Sequence, residues 1–219
     1  MMIQLLIFMM QKNGRFTIWR MFFNHKATKD DFLTFKKINH QHWEAFQQNK
    51  LTKSEVLSER FVNYFKHHQM EVDGHRADVL FRNGLAEAKV KYFDQTLETI
   101  VELSKRHDLY IVTNGVTETQ KRRLNQTPLH KYIKKIFISE ETGYQKPNPE
   151  FFNYVFNDIG EDERQHSIIV GDSLTSDILG GINAGIATCW FNFRGFDHNP
   201  GIIPDYEINS WKQLNDILR

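Results

Sequence analysis

The stretch Ile168–Asp177, Ile-Ile-Val-Gly-Asp-Ser-Leu-Thr-Ser-Asp, decides how this chain folds. Its apolar start, together with Ser167, is rich in β-branched residues and predicts a short buried strand. Gly171 permits a tight turn at the end of that strand. Asp172 then follows the carboxyl end of the strand, which is where open α/β sheets bind their ligands. The residues after the turn, Thr175–Ala184, are predicted to form a helix.

Two carboxylates, Asp172 and Asp177, bracket this strand-to-helix turn. Carboxylates so close together repel each other unless a cation or a lysine offsets their charge. Hard oxygen ligands on a loop suit Mg²⁺, which accepts one or two carboxylates together with substrate phosphate. The alternative is an ordinary turn, because loop aspartates are common turn formers. Thr175 is predicted to cap the helix, and Gly185 is predicted to end it in the left-handed conformation.

Composition narrows the class of protein. The chain has 219 residues and a net charge of +1, with acidic and basic residues interspersed, so it has no basic footprint for a nucleic-acid polymer. The apolar stretch Met1–Met10 is much shorter than a membrane span, so no membrane partner is expected. The one cysteine, Cys189, lies in an apolar run and is expected to be a buried thiol. A chain with one cysteine cannot form an internal disulfide, which fits the cytoplasm.

Strands and helices alternate from Phe93 onward, which predicts a mostly parallel sheet with helices on both faces. A first strand is predicted much earlier, at Ile3–Phe8. Between the first and second strands, apolar residues recur at helical spacing, and Thr52–Glu55 forms a capping box before one such run. We therefore expect an α/β core, made of residues 1–19 and 91–219, with an all-helical insertion at residues 20–90.

Three loops are predicted to meet at the carboxyl edge of this sheet. The stretch Thr113–Gly115, Thr-Asn-Gly, offers a hydroxyl, an amide and backbone N–H groups at a helix start, which suit a phosphate. Lys146 supplies a cation, and Pro147 biases its backbone toward an extended form. Taken singly, the first is a common turn and the second an ordinary solvated lysine. Together with the acid pair, they predict a phosphoryl-transfer site.

These motifs resemble those of the haloacid dehalogenase (HAD) superfamily of phosphohydrolases. The stretch 113–115 resembles its second motif, Lys146-Pro147 its third, and Gly171–Asp177 its fourth. The helical insertion resembles the cap of that family, and the core its Rossmann-like parallel sheet. The run Ile111–Leu124 resembles the branch of pyrimidine 5′-nucleotidases and related small-nucleotide phosphatases. The similarity extends over nearly the whole chain from about Thr28.

The resemblance implies a substrate class and a set of roles. The substrate would be a nucleoside 5′-monophosphate or a similar small phosphomonoester, hydrolysed with Mg²⁺, and the cap would pack over the site and select it. Lys146 would steady the nucleophile and the transferring phosphoryl group, and Asp177 would support the metal site or Lys146. By role, the implied residues are Thr113, Asn114 and Gly115 for phosphate, Lys146 and Asp177 for catalysis, and Asp172 for the metal.

The sequence departs from the family at its first motif. That motif, Asp-x-Asp-x-Thr directly after the first strand, supplies the nucleophile and the general acid/base. Here Phe8 is followed by Met9-Met10, and the first acidic residues are Asp30 and Asp31, at a predicted helix start in the cap. No other motif can replace the covalent step. We therefore expect an inactive chain of phosphatase ancestry, in which Mg²⁺ binding is weak or absent.

Two alternatives remain open at this stage. The chain could be a non-catalytic protein of the same fold that binds phosphate or Mg²⁺. It could also be a haloacid dehalogenase, although the metal-ready pair of Asp172 and Asp177 argues against that reaction, which needs no Mg²⁺.

Residues 9–23 carry signs of a reading-frame slip. Methionine and tryptophan have single codons, so four residues fix the underlying DNA: Met9, Met10, Trp19 and Met21. Read one base earlier, that DNA permits Asp-Ala-Glu-Lys-Arg-Thr-Phe-Tyr-Asp-Leu-Glu-Asn-Val, a run of good helix formers with apolar residues at helical spacing. This run resembles the first cap helix of the family. We interpret residues 9–23 as the product of a shifted reading frame after loss of the first motif. The alternative is a diverged but genuine segment.

Overall fold

The computed structural model describes residues 2–5, 28–88, 92 and 95–218. The described residues fall into two compact units, of which one contains residues 28–88 and the other contains the rest. The predicted domain boundaries at residues 19/20 and 90/91 lie outside the described residues and stay predictions. The interpretation of Met9–Phe23 as a shifted reading also falls outside them.

One unit is built on a parallel sheet of six strands. In chain order the strands are β1 (Met2–Leu5), β2 (Leu109–Thr113), β3 (Lys135–Ile138), β4 (Ser167–Gly171), β5 (Ala187–Phe191) and β6 (Tyr206–Ile208). Their order across the sheet is β3-β2-β1-β4-β5-β6, and every pair of neighbours is parallel. This confirms the predicted α/β class. The strand order reverses at β1, and the crevice at such a switch point is the usual ligand site of open parallel sheets.

Nine α-helices are assigned among the described residues. They are α1 (Lys29–Gln47), α2 (Lys53–Lys66), α3 (Gly74–Glu87), α4 (Thr96–Ser104), α5 (Thr117–Asn125), α6 (Ser139–Thr142), α7 (Pro149–Ile159), α8 (Leu179–Ala184) and α9 (Trp211–Ile217). None of them is long and apolar enough to cross a membrane.

The sheet buries both of its faces. Successive residues of a strand point to opposite faces, and β2 shows this directly. Leu109 and Ile111 join an apolar cluster that includes Ile100 of α4 and Trp211 of α9. Tyr110 and Val112 join a second cluster with phenylalanines of α7. Helices therefore cover both faces, as the alternation of strands and helices predicted.

The other unit is all-helical within residues 28–88 and consists of α1, α2 and α3. Two capping boxes start its first two helices, at Thr28 with Asp31 and at Thr52 with Glu55. The second box confirms the predicted one, and the first places Asp31 at a helix start, as expected. Aromatic side chains form most of its core, which contains Phe35, Phe61, Tyr64, Phe65 and Phe81.

The turn after β4 differs from the prediction. Ser173, not Thr175, is the capping residue, and its hydroxyl accepts a hydrogen bond from the Ser176 N–H at 3.2 Å. A wide π-type turn at Leu174–Ile178 precedes α8, because the N–H groups of Asp177 and Ile178 both donate to the Ser173 carbonyl. Gly185 ends α8 with φ of +68°, which confirms its predicted left-handed stop.

Candidate active site

Two loops flank the central strand at the carboxyl edge of the sheet. β2 ends at Thr113 and β4 ends at Gly171, and both strands pair with β1. The loop after β2 therefore faces the loop after β4 across the switch point of the sheet. The predicted site residues lie on these two loops and on the loop that carries Lys146.

Lys146 is the centre of the site. Its side chain is 2% exposed, and Nζ donates to the Val112 carbonyl at 2.9 Å and to Asp177 Oδ1 at 2.7 Å. An ammonium has three hydrogens, so these two contacts use two of them. Burial lowers the pKa of Lys146 below its usual range, although Asp177 and Asp172 act in the opposite direction. The Lys146–Pro147 peptide bond is cis.

Asn114 holds the backbone of Lys146. Its Oδ1 accepts from the Lys146 N–H at 2.9 Å, and its Nδ2 donates to the Lys146 carbonyl at 2.8 Å. A longer contact of 3.4 Å runs from Nδ2 to Ser176 Oγ. Asn114 is 9% exposed, so these bonds are protected from water. The side chain ties the loop after β2 to the loop that carries the lysine.

Asp177 lies against the backbone of β4. Its Oδ1 accepts from Lys146, and its Oδ2 accepts from the Ser173 N–H at 3.2 Å. The placement of the Asp177 side chain requires glycine at residue 171, because a Cβ there would lie 2.3 Å from Asp177 Oδ2. Asp177 is buried and acts as the counter-charge of Lys146.

Asp172 carries a perturbed carboxyl. Burial and the neighbouring Asp177 raise its pKa from 3.8 to about 6, while Arg194 and Lys146 oppose the rise. The backbone of Asp172 is held in place because its carbonyl accepts from Trp190 Nε1 at 3.2 Å. The rise follows first from burial, which disfavours the charged form of the carboxyl, and then from repulsion by Asp177.

Some polar groups of the predicted phosphate loop, Thr113–Gly115, already have hydrogen-bond partners within the protein. The Gly115 N–H donates to Thr113 Oγ1 at 3.0 Å, so the Thr113 hydroxyl keeps its own hydrogen for donation. The first helical N–H of α5, at Thr117, donates to Glu140 Oε2 at 2.7 Å. The Thr113 hydroxyl can therefore act as a donor, whereas the helix start already has a carboxylate partner.

Sequence reasoning missed Arg194, on the loop after β5. Its guanidinium lies over the rings of Phe193 and Phe196, 4.6 and 5.4 Å from their centres. The Asn192 side chain closes this loop by pairing with both the N–H and the carbonyl of Phe196. Arg194 acts on Asp172 through its charge. The signal available in the sequence was an arginine between aromatic residues just after a strand.

The residues present fit Mg²⁺ only in part. Asp172 offers one hard oxygen ligand, whereas Asp177 is engaged by Lys146 and the Ser173 N–H. Within residues 2–5, 28–88, 92 and 95–218, no three acidic, histidine or cysteine side chains are grouped to hold a metal. Asp172 would hold the ion, and the ion would supply charge for a bound phosphate.

Comparison with known proteins identifies the family. A model of the haloacid dehalogenase-like hydrolases matches residues 18–191. The chain belongs to this family. The HAD match begins at residue 18, after β1 and after Met9-Met10, so it does not test the prediction about the first motif.

Similar HAD proteins come from several bacteria. YfnB of Bacillus subtilis (strain 168), named as a HAD-hydrolase, is 43% identical over 89% of this chain and 83% of its own length. The pyrimidine 5′-nucleotidase YjjG of Escherichia coli (strain K12) is 31% identical over 91% of this chain and 88% of its own. The pyrimidine 5′-nucleotidase PynA of Streptococcus pneumoniae (strain ATCC BAA-255 / R6) is 33% identical over 88% and 80%.

A solved structure supports the same assignment. A crystal structure of YfnB bound to magnesium matches this chain with a TM-score of 0.89 at 38% identity, over 100% of this chain and 98% of that one. The chain thus has the HAD fold, and its ancestry is that of phosphatases and nucleotidases.

Proposed function

We propose that this chain binds small phosphomonoesters of the nucleoside 5′-monophosphate class at the carboxyl edge of its sheet, and that it does not hydrolyse them. The observation that carries the proposal is the buried Lys146, fixed by Asn114 and Asp177 beside the switch point. An ammonium held so rigidly suits the binding of a phosphoryl group, because it loses little freedom when the anion arrives.

The substrate class rests on relatives. YjjG and PynA are both pyrimidine 5′-nucleotidases, and both align with most of this chain. In the chain itself, Thr113 would donate its hydroxyl to the phosphate, and Lys146 would add the third hydrogen of its ammonium. Asp172 would bring Mg²⁺ to the phosphate. The expected compartment is the cytoplasm.

The absence of turnover rests on the sequence after β1. A HAD phosphatase needs a carboxylate there as nucleophile, and this chain has Met9-Met10. A thioether cannot form the acyl-phosphate that splits the reaction into two steps. Binding and chemistry are therefore separated in this chain.

One pair of measurements tests both halves. Phosphate release is measured on a panel of nucleoside 5′-monophosphates and sugar phosphates with Mg²⁺ present, and inorganic phosphate binding is followed by NMR or calorimetry. We expect no release above background, together with phosphate binding that the Lys146→Met variant loses. Measured turnover would overturn the inactive half, and absence of phosphate binding would overturn the other.

Two other functions are distinguished by separate observations. A binder that was selected for binding, not left over from an enzyme, would have a gene without the shifted reading frame. A dehalogenase would release halide from 2-haloacids without Mg²⁺. The second is disfavoured, since Asp172 and Asp177 leave carboxylate charge beside the lysine.

A further inference from the structure

We infer that Asn114 is a positioning residue for Lys146: its side-chain amide fixes the lysine backbone and, through it, the direction of the ammonium. The inference rests on the proposed function in one respect, since Lys146 is taken as the group that binds phosphate. The positioning itself is a property of the free protein and can be measured without any ligand.

The first step of the argument is the pattern of hydrogen bonds. The Asn114 amide pairs with both the N–H and the carbonyl of one residue, Lys146, at 2.9 and 2.8 Å. A neighbouring strand pairs with a residue in the same way. The backbone N–H can only donate and the carbonyl can only accept, so the assignment of Oδ1 and Nδ2 is fixed by the pairing.

The second step is that the amide nitrogen already contacts two oxygens of the protein. An asparagine amide has two N–H hydrogens. One is directed at the Lys146 carbonyl and the other has its partner in Ser176 Oγ. A direct bond from Asn114 to phosphate would require one of these contacts to break. The geometry thus assigns Asn114 to the lysine.

The third step concerns both ends of the lysine. Asn114 holds the backbone of Lys146, and the Val112 carbonyl holds Nζ at 2.9 Å. Val112 and Asn114 are two residues apart at the end of β2. One short segment therefore holds both the backbone of Lys146 and its ammonium group. Asp177 Oδ1 accepts a second hydrogen of the ammonium at 2.7 Å.

Burial makes the pairing between residue 114 and the Lys146 backbone specific for asparagine. With Asn114 at 9% and Lys146 at 2% exposure, water cannot readily replace a lost bond. Alanine or serine would be too short to reach both backbone groups. Aspartate would still accept from the Lys146 N–H, but it would turn an acceptor toward the Lys146 carbonyl and lose that bond.

The test measures Lys146 directly. The folded chain is treated briefly with a small amine-reactive reagent, and the labelling of each lysine is quantified by mass spectrometry. We expect Lys146 to be protected in the natural chain and to label about tenfold faster in the Asn114→Ala variant, because a buried pair of hydrogen bonds is lost. The Asn114→Asp variant should fall between the two. Labelling of the exposed Lys105 should stay unchanged.

Two controls separate positioning from general loosening. Asn125→Ala changes an exposed asparagine on α5, and Leu129→Ala destabilises the apolar core without touching the lysine. Neither should speed the labelling of Lys146 at temperatures where the protein stays folded. Equal labelling in Asn114→Ala and the natural chain, or equal acceleration in Leu129→Ala, would overturn the inference.

A second readout connects this result to phosphate. Inorganic phosphate should bind about tenfold more weakly to Asn114→Ala than to the natural chain, since the ammonium is no longer held in place. If the natural chain fails to bind phosphate, the proposed function is wrong while the labelling result still decides the role of Asn114. If phosphate binds equally well to both, Asn114 does not position the lysine for the anion.

Discussion

Lys146 Nζ lies 2.7 Å from Asp177 Oδ1, and both side chains are almost fully buried. A buried ion pair gains little over apolar residues of the same shape, because desolvation cancels much of the attraction. Removing one partner alone is different, since the remaining charge is left buried without compensation. This relationship makes the site a sensitive point for stability as well as for binding.

The first prediction concerns this pair. Lys146→Met and Asp177→Asn should each lower the free energy of unfolding, with about 3–5 kcal/mol expected for breaking such a buried pair. The double variant should lose clearly less than the sum of the two, because neither charge is then left alone. Urea unfolding of the four proteins measures this. Additive losses would mean that the two side chains do not stabilise each other.

Gly171 provides a second prediction. In Gly171→Ala the new Cβ would lie 2.3 Å from Asp177 Oδ2 and 2.4 Å from Asp177 Cβ, so the Asp177 side chain or the backbone beside it must shift. We expect a loss of about 1–3 kcal/mol or more, as for an overpacked core. Gly115→Ala is the matched control. Its Cβ would meet the end of the flexible Gln120 side chain, which can turn aside. Equal losses at the two glycines would contradict the prediction.

The pKa of Asp172 gives a prediction about pH. The pKa of its carboxyl is raised from 3.8 to about 6 in the folded state. Between these two pH values the folded state therefore binds more protons than the unfolded state. Stability therefore falls as pH rises from about 4 to 6 and stays lower above that range. In Asp172→Asn this loss is absent.

The free energy of unfolding of Asp172→Asn should thus equal that of the natural chain near pH 4 and exceed it by about 1–2 kcal/mol at pH 7.5. This value is reduced for the partial solvent exposure of Asp172. Urea unfolding at several pH values measures the difference. A constant difference across pH would show that the Asp172 carboxyl is not perturbed.

Mg²⁺ provides the fourth prediction. The ion should bind weakly, because Asp177 is engaged by Lys146 and the first acidic residue of the sequence, Asp30, comes long after β1, so Asp172 has no carboxylate partner from that strand end. Calorimetry should show no tight binding, and Asp172→Asn should remove whatever binding remains. Tight binding that depends on Asp172 would show that other ligands complete the site.

The fifth prediction concerns the gene. The DNA that encodes residues 9–23 should, when read one base earlier, encode helix-forming residues without a stop codon. Sequencing the gene and comparing it with close relatives decides this. A stop codon in the shifted frame between Met9 and Phe22 would end the hypothesis and leave a diverged segment as the explanation.

Sequence reasoning predicted the parts of this fold that depend on local chemistry. Apolar runs located the strands, and the helix stop at Gly185 followed from the preference of glycine for positive φ. The capping box at Thr52 was visible because its two residues are three apart. These features depend on neighbours in the chain and can be read without knowing the rest.

The interior of the site could not be predicted in the same way. Asn114 and Lys146 are 32 residues apart, and their pairing arises only when the sheet brings two loops together. The capping role of Ser173 was missed because the wide turn serves Asp177 and so shifts the helix start. Arg194 is recognisable only once β5 lies beside β4. Long-range contacts are set by tertiary structure, and local propensity does not encode them.

The central position of β1 has a consequence for the life of this protein in a cell. β1 joins β2 and β4 by backbone pairing, and such bonds do not depend on which side chain follows the strand. Cellular quality control removes chains according to how often they unfold, not according to whether they react. A lesion just after this strand could therefore abolish chemistry and still leave a chain that survives proteolysis. Such a chain would bind its ligand without converting it. It would therefore compete for that ligand with active relatives, whereas a chain that unfolds would be degraded.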